Sequence, residues 1–192
     1  MKMHMLFSGL LAVLISLLGF APARASESPQ AAADQASLRI NEFMAENASV
    51  LENPAQPGVF SDWFELYNPS AEEVSLDGLF LTDNVSNPTR YPIPTGLSVP
   101  AGGFLVFYAD NQPGLGPQHT NFALNKDGEY LGLYSAQGSV LIDGYPFGPQ
   151  IENISTVRFP DGGETWTTTV CATPGALNAP CSVQLYLPVV WG

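Results

Sequence analysis

Basic residues are scarce in this chain, and their scarcity narrows the partners it could bind. The 192 residues hold 6 Lys and Arg against 18 Asp and Glu, a formal charge of −12. Binding to nucleic acid depends mainly on Lys and Arg that displace counterions from phosphates. Anionic membrane surfaces attract basic segments for the same reason. The composition therefore argues against nucleic acid as a partner and favours cationic partners or divalent metals.

The first 25 residues have the composition of a signal peptide. Lys2 supplies a positive start, residues 6–20 are almost entirely apolar, and Ala23-Arg24-Ala25 offers small residues for cleavage. The apolar stretch is shorter than the roughly 20 residues of a membrane-spanning helix, so stable membrane insertion is not expected. Cleavage after residue 25 leaves four basic residues against 18 acidic ones, a formal charge of −14. We expect a secreted protein, extracellular or at the cell surface.

Cysteine and histidine are also scarce. Cys171 and Cys181 follow an export signal, and a close pair in an oxidising compartment is usually a disulfide. His119 is the one histidine left after cleavage, so a Ser-His-Asp or Cys-His arrangement would have to use it. Because no catalytic motif surrounds it, we interpret His119 as a structural or surface residue and assign no catalytic residue.

Long helical periodicity is absent beyond residue 37, where short apolar runs alternate with Gly, Pro, Asn and Asp. This pattern is typical of an all-β sandwich or barrel. Residues 26–37, rich in Ser, Ala, Gln and Pro, are interpreted as a flexible linker. A short helix at 44–51 is weakly indicated. The predicted strands are 38–43, 63–67, 78–82, 104–109, 130–134, 140–143 and 156–159.

Two of these strands predict how the core forms. In the second, Phe64 and Leu66 point to one face of the sheet, while Trp63 and Glu65 point to the other. In the fourth strand both faces are apolar, which predicts a central strand covered on both sides. The ordered chain is long enough to bury a single core of ordinary size.

Seven short phrases follow one another along the chain. They are INEFMA at 40–45, DWFELYN at 62–68, GLFLTD at 78–83, LSVPAGGF at 97–104, HTNFALNKDGE at 119–129, FPDG at 159–162 and TPGALN at 173–178. Their order and spacing resemble the bacterial lamin tail domain family across residues 38–178. The resemblance implies an immunoglobulin-like β-sandwich that acts as a non-catalytic interaction module in secreted and cell-surface proteins. The implied partner is a protein or a cell-envelope polymer.

One position departs from the pattern of that family. Leu79 stands where the family often has Trp after the Gly, which weakens the case for an aromatic binding patch there. An immunoglobulin-like architecture hosts many functions, so the fold alone does not name the partner.

The abundant carboxylates leave a second function open, a small secreted hydrolase of sugar or phosphate esters. A glycosidase needs two carboxylates across a cleft, one of them with a raised pKa. Trp63 and Glu65 share a strand face and would suit a sugar site in which the indole stacks on the sugar ring. The interpretation we prefer is that Trp63 packs at the edge of the sandwich, while Glu65 anchors a turn or an Arg.

Two oxygen-rich loops raise the question of calcium, which takes six to eight oxygen ligands. One loop holds Asp83, Asn84, Ser86 and Asn87, and the other is the stretch 161–164. Neither matches a calcium-loop motif, and turn chemistry accounts for the same residues. No metal site or cofactor is therefore expected, with calcium as the alternative.

The C-terminal residues 179–192 form an apolar tail that is too short to span a membrane. Pro188 fits a last strand confined to a sheet edge, because proline lacks a backbone N–H for the ladder. The alternative is a docking or sorting tag that adds a strand to the sheet of a partner. We prefer the edge strand.

Overall fold

Eleven strands make up the sandwich in the computed structural model, which describes residues 34–181. Two short 3₁₀ helices, Pro113–Leu115 and Ala136–Gly138, lie between strands. The strands are β1 (Arg39–Met44), β2 (Trp63–Tyr67), β3 (Val74–Ser75), β4 (Phe80–Thr82), β5 (Tyr91–Pro92), β6 (Ser98–Val99), β7 (Phe104–Tyr108), β8 (Glu129–Ser135), β9 (Val140–Phe147), β10 (Ser155–Arg158) and β11 (Trp166–Thr169).

These strands form two large sheets and a small ribbon. A five-stranded sheet has the order β11-β10-β1-β2-β7, a four-stranded sheet has the order β5-β4-β8-β9, and β3 pairs with β6. All pairs between these strands are antiparallel. The two large sheets share one core, in which the Phe43 and Phe147 ring centroids lie 4.7 Å apart. The expected all-β sandwich is confirmed.

The register between β1 and β2 decides which residues enter that core. Phe43 pairs with Phe64, and Glu42 pairs with Glu65, after a bulge between Ile40 and Glu42. Because side chains alternate along a strand, the phenylalanines face the four-stranded sheet and the glutamates share the opposite, outer face. The glutamates are as fully buried as the phenylalanines. The outer face of the five-stranded sheet must therefore have a cover of its own.

The place of β7 differs from the prediction of a central strand at 104–109, because β7 is an edge strand of the five-stranded sheet. The chain that follows β7 returns along it. Tyr108 forms a parallel bridge with His119, and Asp110 forms an antiparallel bridge with Ala123. This returning segment covers apolar side chains that a neighbouring strand would otherwise cover.

The helix indicated at 44–51 is wrong, because the Asn47 side chain takes over the local backbone hydrogen bonds. Its Oδ1 accepts the backbone N–H groups of Val50 and Leu51. Its Nδ2 donates to the carbonyl oxygens of Leu51 and Ser61. A side-chain amide thus satisfies groups that a helix would pair internally, and the chain bends instead.

The end of the segment assigned to a flexible linker is attached to the sandwich. Gln35 is buried, and its Nε2 donates to the carbonyl oxygens of Ser75 and Asp77. The linker interpretation therefore fails for 34–37. Residues 26–33, the signal peptide expected at 1–25 and the tail residues 182–192 lie outside the described residues. Within residues 34–181, no helix is long and apolar enough to cross a bilayer.

Candidate functional site

Trp63 lies on the outer face of the five-stranded sheet and is completely buried. It packs with Met44 and Tyr108 in a second apolar cluster, which Leu51 and Ala172 border. A sugar platform needs an accessible ring face, and this indole exposes none of its surface. The burial contradicts the sugar-site alternative for Trp63.

Glu42 and Glu65 stand side by side on the same face, and neither is exposed to solvent. Oε1 of Glu65 accepts a hydrogen bond from Asn41 Nδ2 at 3.0 Å, and Oε2 accepts one from the backbone N–H of Gly175 at 2.8 Å. Glu42 accepts hydrogen bonds from the backbone N–H and the hydroxyl of Thr173 at 3.0–3.2 Å. Both carboxylates therefore hold the same C-terminal loop.

That loop, residues 170–181, lies over the outer face and is named the covering loop here. Cys171 and Cys181 close it with a disulfide, which confirms the predicted bond; their Cα atoms are 5.6 Å apart. Asn178 in the same loop donates from its backbone N–H to Asp161 Oδ1 and from Nδ2 to the carbonyl oxygen of Arg158. Glu65 thus anchors a turn, as the preferred interpretation of the sequence has it.

Burial raises the pKa of both glutamates. For Glu65, loss of hydration is the main cause and raises the pKa to about 8, although hydrogen bonds from Asn41 and Gly175 lower it and nearby carboxylates raise it further. Loss of hydration likewise raises the pKa of Glu42. Glu65 therefore holds a proton at neutral pH, which relieves the repulsion between two directly opposed carboxylates. A raised pKa beside a second carboxylate is also typical of a glycosidase, but this pair is closed off from solvent.

In each of the two loops considered for calcium, the aspartate is engaged within the protein. Asp161 Oδ1 accepts hydrogen bonds from Asn41 Nδ2 at 2.8 Å and from the backbone N–H of Asn178 at 3.0 Å. In the other loop, Asp83 is buried and forms an ion pair with Arg90. Within residues 34–181, no group of three or more His, Cys, Asp and Glu residues is arranged to hold a metal ion.

Arg158 joins the two sheets, and the sequence did not single it out. Its side chain is buried and stands over the Trp166 ring, 4.5 Å from the centroid. Nη2 donates to both carboxylate oxygens of Asp143 on β9, at 2.9 and 3.0 Å. Asp143 Oδ2 also accepts the backbone N–H of Ile40 at 2.8 Å. This ion pair fixes β10 and β1 of one sheet to β9 of the other.

A groove beside β7 contains His119, which is buried next to Asp110. The Nδ1 atom of His119 lies 2.6 Å from Asp110 Oδ2, and Asn53 Nδ2 donates to that same oxygen at 3.1 Å. The imidazole stacks on the Tyr108 ring with centroids 5.1 Å apart. The groove has a volume of about 290 Å³, and neither Ser nor Cys lines it. A nucleophile of a Ser-His-Asp or Cys-His site is therefore missing from its walls.

A wider cleft of about 390 Å³ brings two carboxylates together, those of Glu46 and Asp62. Lys126 lines the same cleft and forms an ion pair with Glu46, with Nζ to Oε1 at 2.7 Å. Burial raises the pKa of Asp62, repulsion from Glu46 adds to this, and a hydrogen bond from the Asn47 backbone lowers it. Sequence reasoning missed this pair, because the two residues lie on different loops.

The lamin tail domain family matches residues 31–148, more than half of the chain. The chain belongs to the lamin tail domain family. In this lamin tail domain the matched range covers β1 to β9, and the immunoglobulin-like sandwich expected from the resemblance is confirmed. The family is a non-enzymatic domain family, which agrees with an interaction module. No curated protein matches the chain.

The lamin tail domain described here extends beyond the matched range. β10 and β11 pair onto β1 in the five-stranded sheet, and the covering loop follows them. Leu79, the position where the family often has Trp, is part of the central core and is almost entirely buried. An aromatic side chain at this position would therefore be a core residue here and could not contribute to a surface patch.

Proposed function

We propose that this lamin tail domain is a secreted, non-catalytic binding module that engages a protein or a cell-surface polymer. The observation that carries the proposal is the closure of the outer face. The covering loop sits on Glu42 and Glu65, the two carboxylates that lie opposite each other in the sheet, and both are withdrawn from solvent. The acidic pair therefore stabilises the domain and is withheld from substrates. Family membership supports the same function.

The charge of the chain narrows the classes of partner that this domain could bind. After removal of the expected signal peptide, four basic residues remain against 18 acidic ones. Phosphate backbones and anionic lipid surfaces are poor partners for such a surface, whereas neutral or cationic proteins and neutral polymers are compatible with it. The partner is thus sought among envelope proteins and glycans of the producing cell.

Binding of the purified protein to an array of glycans and envelope proteins tests this function. We expect saturable binding to at least one array member, equal in calcium and in a chelator, since the aspartate of each candidate calcium loop is engaged within the protein. A pull-down from the same cell envelope should recover the same member. Failure of both experiments to recover anything beyond the controls would remove the proposal.

A second candidate function, hydrolysis of sugar or phosphate esters, rests on the cleft between Glu46 and Asp62. It holds two carboxylates of which one has a raised pKa, the pairing that inverting and retaining glycosidases use. Asp62→Asn keeps the oxygen that accepts the Asn47 N–H and removes the titrating proton. Turnover on a panel of glycoside and phosphate esters that is lost in Asp62→Asn and kept in Glu65→Gln would favour this function over the first.

A further inference from the structure

The five-stranded sheet has an open edge at β11. This strand has β10 on one side, and within residues 34–181 no strand pairs with it on the other side. The backbone N–H of Phe159 donates to the carbonyl oxygen of Thr165, and hydrogen bonding alternates along an antiparallel pair. The backbone groups of Trp166 and Thr168 therefore point to the open side. An exposed strand edge of this kind is a template for another strand.

An apolar groove lies beside that edge on the outer face of the sheet, and it is named the β11 groove here. Its volume is about 240 Å³, below the roughly 300 Å³ at which small-molecule pockets begin. Val157 lines the groove and is almost entirely buried, whereas Phe159 leaves 43 % of its surface exposed. The end of the covering loop also lines it, with Ala179, Pro180 and Cys181. The groove suits a few aliphatic side chains of one strand.

The disulfide fixes where the chain leaves the sandwich toward the tail segment, which is residues 182–192. Cys181 lines the β11 groove and directly precedes this segment. Its bonded partner Cys171 lies two residues beyond the end of β11, and the two Cα atoms are 5.6 Å apart. Oγ1 of Thr169, the last residue of β11, lies 3.6 Å from Cys181 Sγ. Pairing of the tail segment with β11 therefore costs little loop-closure entropy.

The sequence of the tail segment alternates with a period of two. Val183, Leu185 and Leu187 are apolar, and Gln184 and Tyr186 lie between them. In a strand, the three aliphatic side chains share one face and the two polar ones share the other. A strand of this kind fits an edge that is apolar on one face and polar on the other.

The two faces of β11 differ in that way. Thr167 pairs with Val157 and shares the outer face with the β11 groove, while Trp166 and Thr168 face the opposite side. On the opposite side lies a smaller recess of about 160 Å³, to which polar side chains contribute. Those polar residues are Gln150, Thr156, Thr167 and Thr168. The aliphatic row of the tail segment thus matches the outer face, and its polar row matches the inner one.

We propose that the tail segment pairs antiparallel with β11 as a further strand and fills the β11 groove with Val183 and Leu185. Counted from the disulfide, Val183 lies opposite Thr169 and Leu185 lies opposite Thr167. Pro188 ends the pairing, since it has no backbone N–H to donate. The inference concerns the edge of the sheet, and it goes beyond the proposed binding function without resting on it.

Two other occupants of this edge fit less well. The tail segment of a second copy makes the same contacts but loses translational freedom on association, whereas the disulfide keeps the chain's own segment close. The β11 strand of a second copy presents Thr167, Thr168 and Thr169, which offer no aliphatic row for the groove. The chain's own tail segment satisfies both the edge and the groove.

Nuclear magnetic resonance of the chain without its expected signal peptide tests the placement directly. We expect nuclear Overhauser contacts between the methyl groups of Leu185 and Val157, because both side chains lie in the β11 groove. We also expect slow solvent exchange of the Thr168 backbone N–H, since the tail segment accepts its hydrogen bond. Absence of the methyl contacts overturns the inference.

Two neighbouring substitutions test the alternation. Leu185→Asp places a charge in an apolar groove, so exchange of the Thr168 N–H should become at least about tenfold faster. The matched control is Gln184→Asp, which adds the same charge one residue earlier on the polar side and should leave this exchange rate unchanged. Equal acceleration by both variants, or by neither, contradicts the proposal. If Leu185→Asp fails to fold, the methyl contacts of the unmodified protein decide.

Dilution separates the chain's own tail segment from that of a second copy. Light scattering should give the mass of a monomer, and the Thr168 exchange rate should not depend on protein concentration. A dimer whose dissociation on dilution speeds this exchange would show that the segment pairs between two copies, and it would overturn the placement within one chain.

Discussion

Glu65 sits beside Glu42 at the centre of the outer face, and burial shapes the chemistry of both. A carboxylate without water is stable there only when it is protonated or surrounded by donors, and Glu65 has one donor on each oxygen. With a pKa of about 8, it binds a proton in the folded protein that it loses in the unfolded chain at neutral pH. The folding equilibrium is therefore linked to pH through this residue.

The sign of that linkage leads to a first prediction. Because the folded pKa lies above the ordinary value of 4.5, the folded state binds more protons between about pH 4.5 and 8. The free energy of unfolding should thus fall as pH rises through this window, by about 1.4 kcal/mol per pH unit for one proton. Glu65→Gln removes this titrating group and should therefore reduce the slope by about 1.4 kcal/mol per pH unit. Urea unfolding at several pH values between 5 and 8 measures the slope.

The control for this slope is Glu73→Gln, which removes the same charge from an exposed position. It should leave the pH dependence as it is in the unmodified protein. Burial of Glu129, whose pKa is raised to about 7, contributes a further slope of the same sign that both variants retain. Equal slopes for Glu65→Gln and the unmodified protein would show that Glu65 does not titrate in this window.

The buried ion pair between Arg158 and Asp143 gives a second prediction at the residue scale. Removal of one partner leaves the other charge buried and unpaired, which typically costs about 3–5 kcal/mol. Arg158→Met and Asp143→Asn should each destabilise the domain by about that amount. The double variant should be less destabilised than the sum of the two, and urea unfolding of all three variants measures the difference. Full additivity would mean that the two side chains do not act together.

An exposed ion pair serves as the comparison. Lys126 and Glu46 form a bond of similar length to that of Arg158 with Asp143, but at the surface. Lys126→Met should leave the unfolding midpoint unchanged, because solvent screens exposed pairs. The contrast separates the effect of burial from the effect of charge.

Alternation along 63–67 predicts from sequence that Trp63 and Glu65 share a face and that Phe64 and Leu66 share the other. Which face becomes covered depends on residues more than a hundred positions away, since Gly175 of the covering loop binds Glu65. No local pattern contains that information. Arg158 escaped notice for a similar reason, because its partner Asp143 lies in another sheet.

At the scale of elements, most strands of three or more residues were predictable and the two-residue strands were not. Each of β1, β2, β4, β7, β8, β9 and β10 overlaps a strand predicted from its apolar pattern. β3, β5 and β6 contain two residues each, too few for a period of two to be recognised. β11 was missed as well, because the Thr residues after Trp166 give no apolar alternation.

The covering loop carries the third prediction. Its disulfide closes a short loop with a sequence separation of 10, which constrains the unfolded chain and contributes about 2–3 kcal/mol. Replacement of both cysteines by alanine should lower the free energy of unfolding by that amount and leave the sandwich folded. The hydrogen bonds of Glu42 and Glu65 still hold the loop in the variant. Circular dichroism in urea measures stability, and loss of the native spectrum at zero urea would contradict this account.

The two oxygen-rich loops considered for calcium give a fourth prediction at the same scale. Asp161 is engaged by Asn41 and Asn178, and Asp83 is engaged by Arg90. A chelator should therefore leave the thermal unfolding midpoint unchanged, and millimolar calcium should not raise it. Differential scanning calorimetry in both conditions measures this. A midpoint that rises with calcium concentration would reveal a bound ion through mass action.

At the scale of the whole molecule, the buried carboxylates of Glu42 and Glu65 support the fold of this lamin tail domain by holding the covering loop on the outer face. The sequence predicted the sandwich and its disulfide, because both rest on short-range patterns and on a recognisable order of phrases. It did not reveal the groove at His119 or the cleft at Glu46 and Asp62, since each is assembled from separate loops. Sites of this kind depend on how loops meet, which single-sequence patterns do not encode.

The most direct test of the central claim is mass spectrometry of the array partner after saturating incubation with the purified protein. If the domain is a non-catalytic binding module, the partner binds saturably and is recovered with its mass unchanged. Glu65→Gln and Asp62→Asn should then bind as the unmodified protein does. Cleavage products that accumulate over many turnovers, and that disappear in Asp62→Asn, would contradict the claim.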